Sequence, residues 1–212
     1  MKVAIYSESP ADEAALRILV DALLGAPTEP IDFPWLKSRG WPSIQQNLPK
    51  VVQYLHYRTD AEGLVVVVDS NKSPLPTQPF HNLVHKEDQS RIGRLQGELR
   101  LVRARLASVP ERPELKVTLG LAVPAIEAWY RCGVDSSVNE AAWIRALRSN
   151  EYTYDASRLK RDVYASDRPT LELARKVAVE QAQRLVGEGR LGLLEQLFPI
   201  GFGSLADAVR SW

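Results

Sequence analysis

Sulfur is scarce in this chain, which has one cysteine and one methionine in 212 residues. A single thiol excludes an intrachain disulfide and fits a reducing compartment. Cys132 sits in Trp129-Tyr-Arg-Cys-Gly133, an apolar setting that reads as a small buried thiol rather than a nucleophile. An excess of one charge is also missing. The formal net charge is +1, so no global field favours nucleic acid or membrane, and polyanion binding would need a local patch. No run approaches the roughly 20 apolar residues of a membrane span. Met1-Lys-Val-Ala-Ile-Tyr6 is too short for the core of a secretory leader and leads directly into acidic residues. The expectation is a cytoplasmic protein without a membrane partner. A glycine-rich phosphate loop after the first strand is lacking, which argues against a nucleotide-binding domain of that kind. Internal repeats, low-complexity tracts and flexible linkers are absent as well.

What remains is an ordinary globular composition, 45% hydrophobic and 25% charged, with enough length to bury a large core. Val3 to Tyr6 reads as a buried strand. The helix after it opens at Pro10 and Asp12, turns Ala15, Leu16, Leu19, Val20, Leu23 and Leu24 to one face, and stops at Gly25 and Pro27. Pro30 to Pro34 suits an edge strand. Ser43 is placed to cap a helix running to about Tyr57, with Leu48, Val51, Val52 and Leu55 turned inward. Leu64 to Val68 is the clearest strand, and a long proline-punctuated connection, 70–90, follows it. A helix over 91–107, a strand over 115–123 and a helix opened by Pro124 come next. Helical segments over 139–149, 155–164, 169–187, 190–198 and 203–211 complete the chain. The pattern predicts an α/β fold, a mostly parallel Rossmann-like sheet flanked by helices over 1–135, with an all-helical C-terminal extension over 136–212 packed on it.

Two strands end on carboxylates. Lys2-Val-Ala-Ile-Tyr-Ser-Glu8 and Gly63-Leu-Val-Val-Val-Val-Asp69 deliver acids where open α/β sheets bind ligands. Asp12 lies one helical turn beyond Glu8, so three carboxylates can converge on an oxygen-lined site of the kind magnesium takes. Glu13 reads as a first-turn residue complementing the helix dipole.

Glu8-x-x-x-Asp12-Glu13 after the first strand, Asp69-Ser-Asn71 after a hydrophobic strand, and Ala125-Ile-Glu127-Ala-Trp129 resemble the motifs of the Toprim domain. That domain occurs in topoisomerases, primases and OLD-type nucleases. The nearest likeness is to small bacterial Toprim-like proteins, over roughly Met1 to Gly133. The resemblance implies a Toprim-like fold and a Mg²⁺- or Mn²⁺-dependent nuclease or related phosphoryl-transfer enzyme acting on nucleic acid beside a partner ATPase. In that frame Glu8 is the general acid/base or a metal-contacting residue. Asp69, Asn71 and Asp12 are metal positions, and Glu127 is a supporting carboxylate. Two positions depart from the pattern: Ser9 stands where the family often has glycine, and Asn71 stands where a second aspartate belongs. The alternative is a catalytically degraded Toprim-like module that binds nucleic acid or a protein partner. No tyrosine is assignable as a topoisomerase nucleophile.

Further basic residues are candidates for substrate phosphates: Lys72, His85, Lys160, Arg161 and Arg168. His81 and His85 are four apart but lack a third ligand, which favours a solvated loop over a zinc site. The arginines between Arg91 and Arg112 spread around a helix whose apolar stripe is Ile92, Leu95, Leu99, Val102 and Leu106. They read as a solvated helix back, with a phosphate-tracking surface as the functional alternative.

Overall fold

A computed structural model describes residues 1–33, 40–76, 89–110 and 112–212. The expected histidine pair, His81 and His85, lies outside the described residues.

The buried runs form strands β1 (Lys2–Ser7), β3 (Gly63–Asp69) and β4 (Lys116–Ala122), and Glu29–Ile31 adds a short β2. All pairings are parallel, and the strand order is β2-β1-β3-β4. Pro30 lies in β2 at the sheet edge, where a missing N–H costs least. The first crossover helix, α1 (Pro10–Leu24), is capped by Ser9 and closed by Gly25 in the left-handed conformation, as Gly25 and Pro27 predict. The second and third, α2 (Trp41–Arg58) and α3 (Arg91–Arg103), pack on each other and reach β3 and β4. Right-handed crossovers to opposite sides of β1 put α1 on one face and α2 with α3 on the other. The point where strand order reverses therefore lies between β1 and β3, the strands that end at Glu8 and Asp69.

Short α4 (Ile126–Tyr130) precedes α5 (Glu140–Ser149), α6 (Ala156–Tyr164), α7 (Leu171–Gly187), α8 (Leu191–Leu197) and α9 (Ser204–Arg210). A π-helical turn, Pro199–Gly203, joins α8 to α9. The C-terminal helices cover the α1 face: α7 lies along α1, and α9 meets both α1 and β4. Phe198, Phe202, Leu205 and Val209 are fully buried there in the same apolar cluster as the sheet. The aromatic end of the chain packs too, with the Trp212 ring lying against Gly63 beside Met1 and the Lys116 ammonium donating to the Trp212 carbonyl.

Three local expectations change. Helix α2 starts three residues earlier than a Ser43 cap implies, with Gly40 at the cap and Ser43 buried inside the first turn. Pro124 does not open α4; it stands ahead of the Ala125 cap, after a cis bond from Val123. Helix α3 ends at Arg103, four residues short. Among the described residues no helix is long and apolar enough to cross a membrane.

Packing at the C-terminal junction rests on an unexpected buried acid. Glu140, 1% exposed, accepts the N–H groups of Ile200 at 2.8 Å and Gly201 at 2.6 Å. It satisfies donors that the π turn would otherwise leave without acceptors. Cys132 is buried, and burial pushes its thiol up from the usual range. An inert structural thiol is what its surroundings predict.

Candidate acidic site at the sheet switch point

The carboxyl ends of β1 and β3 lie side by side, and their acids are tied by backbone as well as by charge. The Asp69 N–H donates to Glu8 Oε1 at 3.0 Å. Arg91, the first residue of α3, donates from one guanidinium nitrogen to Glu8 Oε1 at 3.0 Å and to the Asp69 carbonyl at 2.8 Å. One arginine thus holds both strand ends. The Glu8 and Arg91 side chains are each 20% exposed, a setting in which an ion pair is less screened than on the open surface.

Asp69 carries a second task. Its Oδ1 accepts the Ile126 N–H at 3.0 Å, capping α4, whose own cap residue Ala125 has no side-chain acceptor. The β3–β4 ladder continues past the strand, Ser70 N–H to Ala122 O and Asn71 N–H to Pro124 O, both at 2.7 Å. These bonds bring the start of α4, with Glu127 in its first turn, to the end of β3. From α1, the first-turn residue Asp12 completes the group. Ser9 caps α1 by accepting the Asp12 N–H at 3.1 Å, and its backbone is extended, so nothing at this position calls for glycine. Glu13 turns elsewhere and accepts the Ser7 N–H at 3.3 Å.

The electrostatics show four acids sharing one space. Asp12 is pushed up to about 7, by desolvation first, then by the Glu127 charge, with Glu8 adding to it. Asp69 is raised well above the usual carboxylate range by desolvation and by Glu127, Glu8 and Asp12. Glu127 is raised by desolvation, while the Lys160 charge and the nearby Tyr164 hydroxyl pull it back. Lys160 and Tyr164 are four apart on α6, so one face of that helix delivers both to the cluster. Tyr130 and Tyr164 line it, each hydroxyl pushed up by burial and by neighbouring negative charge. Two buried atoms here lack a hydrogen-bond partner among the described residues, Glu127 Oε2 and the Tyr130 hydroxyl. An unsatisfied oxygen on a side chain only 4% exposed is costly, and an acceptor among acids calls for a cation or a donor. Among the described residues, no three acidic, histidine or cysteine side chains are already drawn into a ligating cage.

Of the candidates read from the sequence, the structure brings Glu8, Asp12, Asp69, Glu127 and Lys160 into one neighbourhood. Asn71, in a left-handed turn at φ 49°, and Lys72 lie just outside it, lining an adjoining depression. Arg161 and Arg168 are exposed in and after α6, with no described contact to the acids, and His85 is outside the described residues. The sequence marks Arg91 only as one of the arginines on a solvated helix back or phosphate-tracking surface, and Tyr130 and Tyr164 were not anticipated. The signal for Arg91 was its place. A helix that follows a parallel strand begins at the carboxyl edge of the sheet, so its first residue faces the ligand side.

Raised acids make a pH prediction. Unfolded Asp12 titrates near 3.8, so between about 4 and 7 the folded chain holds more protons than the unfolded one, and stability falls as pH rises through that window. Glu140, raised by burial from 4.5 to about 7, acts in the same direction. Thermal melts should show a lower Tm at about pH 8 than at about pH 5. Asp12→Asn should flatten part of that decline, and a slope unchanged in the variant would refute the shared-charge account.

Comparison with protein-family models, curated proteins and solved structures finds no match. The site is accordingly read from its own chemistry.

Proposed function

We propose that the acidic cluster is a divalent-cation site of Toprim type and that the protein is a Mg²⁺-dependent nuclease or related phosphoryl-transfer enzyme. The observation that carries this reading is the buried Glu127 Oε2, which has no partner among the described residues and stands beside Asp12 and Asp69, whose carboxyls its charge helps to raise. The donor set fits magnesium, being all oxygen and supplied by carboxylates from three elements. Asp69, Asp12 and Glu127 would hold the ion, with Asn71 close by in the turn. When bound, it would stabilise charge developing on a phosphoryl oxygen.

The chain's own groups would do the rest. Arg91 and the Asp69 N–H fix Glu8 through one carboxylate oxygen, leaving the other without a described partner and available to move a proton. Lys160 offsets the repulsion that a phosphate would meet at Asp12 and Glu127. A partner ATPase belongs to the same reading through the motif resemblance alone. A second reading, a module that binds nucleic acid or a protein without catalysis, draws on Asn71, which puts a neutral side chain where a second aspartate belongs.

A calorimetric Mn²⁺ titration tests the proposal. Wild type should bind and Asp69→Ala should not, and cleavage of a labelled oligonucleotide should require the metal. No binding in either protein would move the weight to the non-catalytic module.

A further inference from the structure

Beside the acids, beyond the end of β3, lies an open depression of about 480 Å³ lined by Trp41, Asn71, Lys72, Ser73, Arg91 and Arg94, among others. Its position follows from the topology. Trp41 opens α2, Arg91 and Arg94 occupy the first turn of α3, and Asn71 to Ser73 form the turn leaving β3. All of them stand at the carboxyl edge of the sheet. Its charge is unlike that of the chain as a whole. Three cations line it and no described carboxylate does, although the net charge of the chain is only +1. Arg91 is committed to Glu8; Lys72, whose ammonium lies 5.2 Å from the centre of the Tyr152 ring, and Arg94 are exposed and form no ion pair with a described acid. The Arg91 guanidinium lies over the Trp41 ring, 5.0 Å from its centre, so the groove and the acidic cluster share one residue. Trp41 also borders a second depression, with Pro42, Gln45, Gln46 and Glu98, so one residue lines both.

Cations that track a backbone, with an aromatic ring on which a base can stack, are the elements by which single strands are bound without sequence preference. The depression is in the ordinary range of small-ligand pockets, roughly 300–1,000 Å³, which suits one or two nucleotide units and is far too small for a duplex. The geometry points to a single-strand binding track in which Lys72 and Arg94 hold backbone phosphates and Trp41 carries a base, leading the strand to the Glu8–Asp69 edge. This deepens the nuclease reading and rests on it for the fate of the bound strand, but binding itself needs no metal.

The test is fluorescence anisotropy of a labelled dodecathymidylate and of a blunt duplex of equal length, with the full chain in EDTA at several salt concentrations. The single strand should bind more tightly than the duplex. Lys72→Ala combined with Arg94→Ala should weaken it about tenfold or more and reduce the salt slope by about 1.4, the value for two phosphate contacts on a single strand. Trp41→Ala should weaken it by about tenfold with the salt slope unchanged, as loss of one stacked base requires. Arg175→Ala combined with Lys176→Ala, on exposed α7, should leave binding as it is. Equal affinity for the duplex, or a Lys72/Arg94 variant that binds like wild type, would overturn the track. Loss of Mn²⁺ binding with strand binding intact would reject the nuclease reading alone. Metal binding without strand binding would reject the track alone.

Discussion

Gly201→Ala is expected to destabilise the fold by about 3 kcal/mol, at the upper end of what overpacking usually costs. A Cβ at this position would meet the Leu121 backbone carbonyl at far less than contact distance and would stand 2.8 Å from Glu140 Oε1. Neither neighbour has room to move. Leu121 is fully buried within the β4 ladder, and Glu140 is fixed by the N–H groups of Ile200 and of Gly201 itself. Any shift of the π turn breaks a hydrogen bond to a buried acid and lifts Phe202 off Trp129, whose rings meet edge to face 5.2 Å apart. At this chain length the loss corresponds to a Tm lower by roughly 6–12 °C. Gly97→Ala supplies the contrast. It lies within α3, nothing approaches its would-be Cβ, and its φ is not positive. It should stabilise by about 0.5–1 kcal/mol through the unfolded state. Similar melts for the two variants would show that the π turn yields and that the Glu140 staple is weaker than its geometry implies.

Glu8→Gln is expected to lower turnover by roughly 10²–10⁴, the range for losing a positioned proton carrier. The amide keeps the shape, and its oxygen can still accept from Asp69 N–H and Arg91, so Tm and Mn²⁺ binding should hold within narrow limits. That separation makes the test specific. A structural role for Glu8 would move stability along with activity, and a ligand role would move metal affinity. Nicking that survives the change in a pure preparation would remove Glu8 from the chemistry.

The buried elements were the legible ones. Val3 to Tyr6 and Leu64 to Val68 are unbroken β-branched or apolar runs, and a parallel sheet covered on both faces demands that composition. Gly25 could end α1 because only a left-handed residue fits there, and the C-terminal helices were bounded by prolines and glycines whose backbone limits are local. Glu8 and Asp69 were legible for the same reason, since an acid that closes a buried strand has one place to go. What could not be read depended on contacts distant in sequence. Arg91 meets Glu8 across 83 positions. On a helical wheel it is one arginine among several, and only the return of the chain to the carboxyl edge singles it out. Glu140 reads as a common first-turn acid until the π turn, 60 residues later, supplies its donors. Tyr164 carries no local mark of its approach to Glu127. At α2, Ser43 is a good cap by propensity, but Trp41 and Pro42 already begin the helix, and the serine is buried instead.

The meeting of Met1 and Trp212 over Gly63 has a practical consequence. Gly63 begins β3 and Asp69 ends it, so the two chain ends stand at the opposite rim from the acids, about 20 Å away along a seven-residue strand. A domain, label or surface tether joined to either residue departs from that rim. A chain immobilised through either end would present Glu8, Asp69 and the basic groove outward to solution. Linkers at both ends would emerge side by side, so a donor–acceptor dye pair placed there would report unfolding without touching the chemistry.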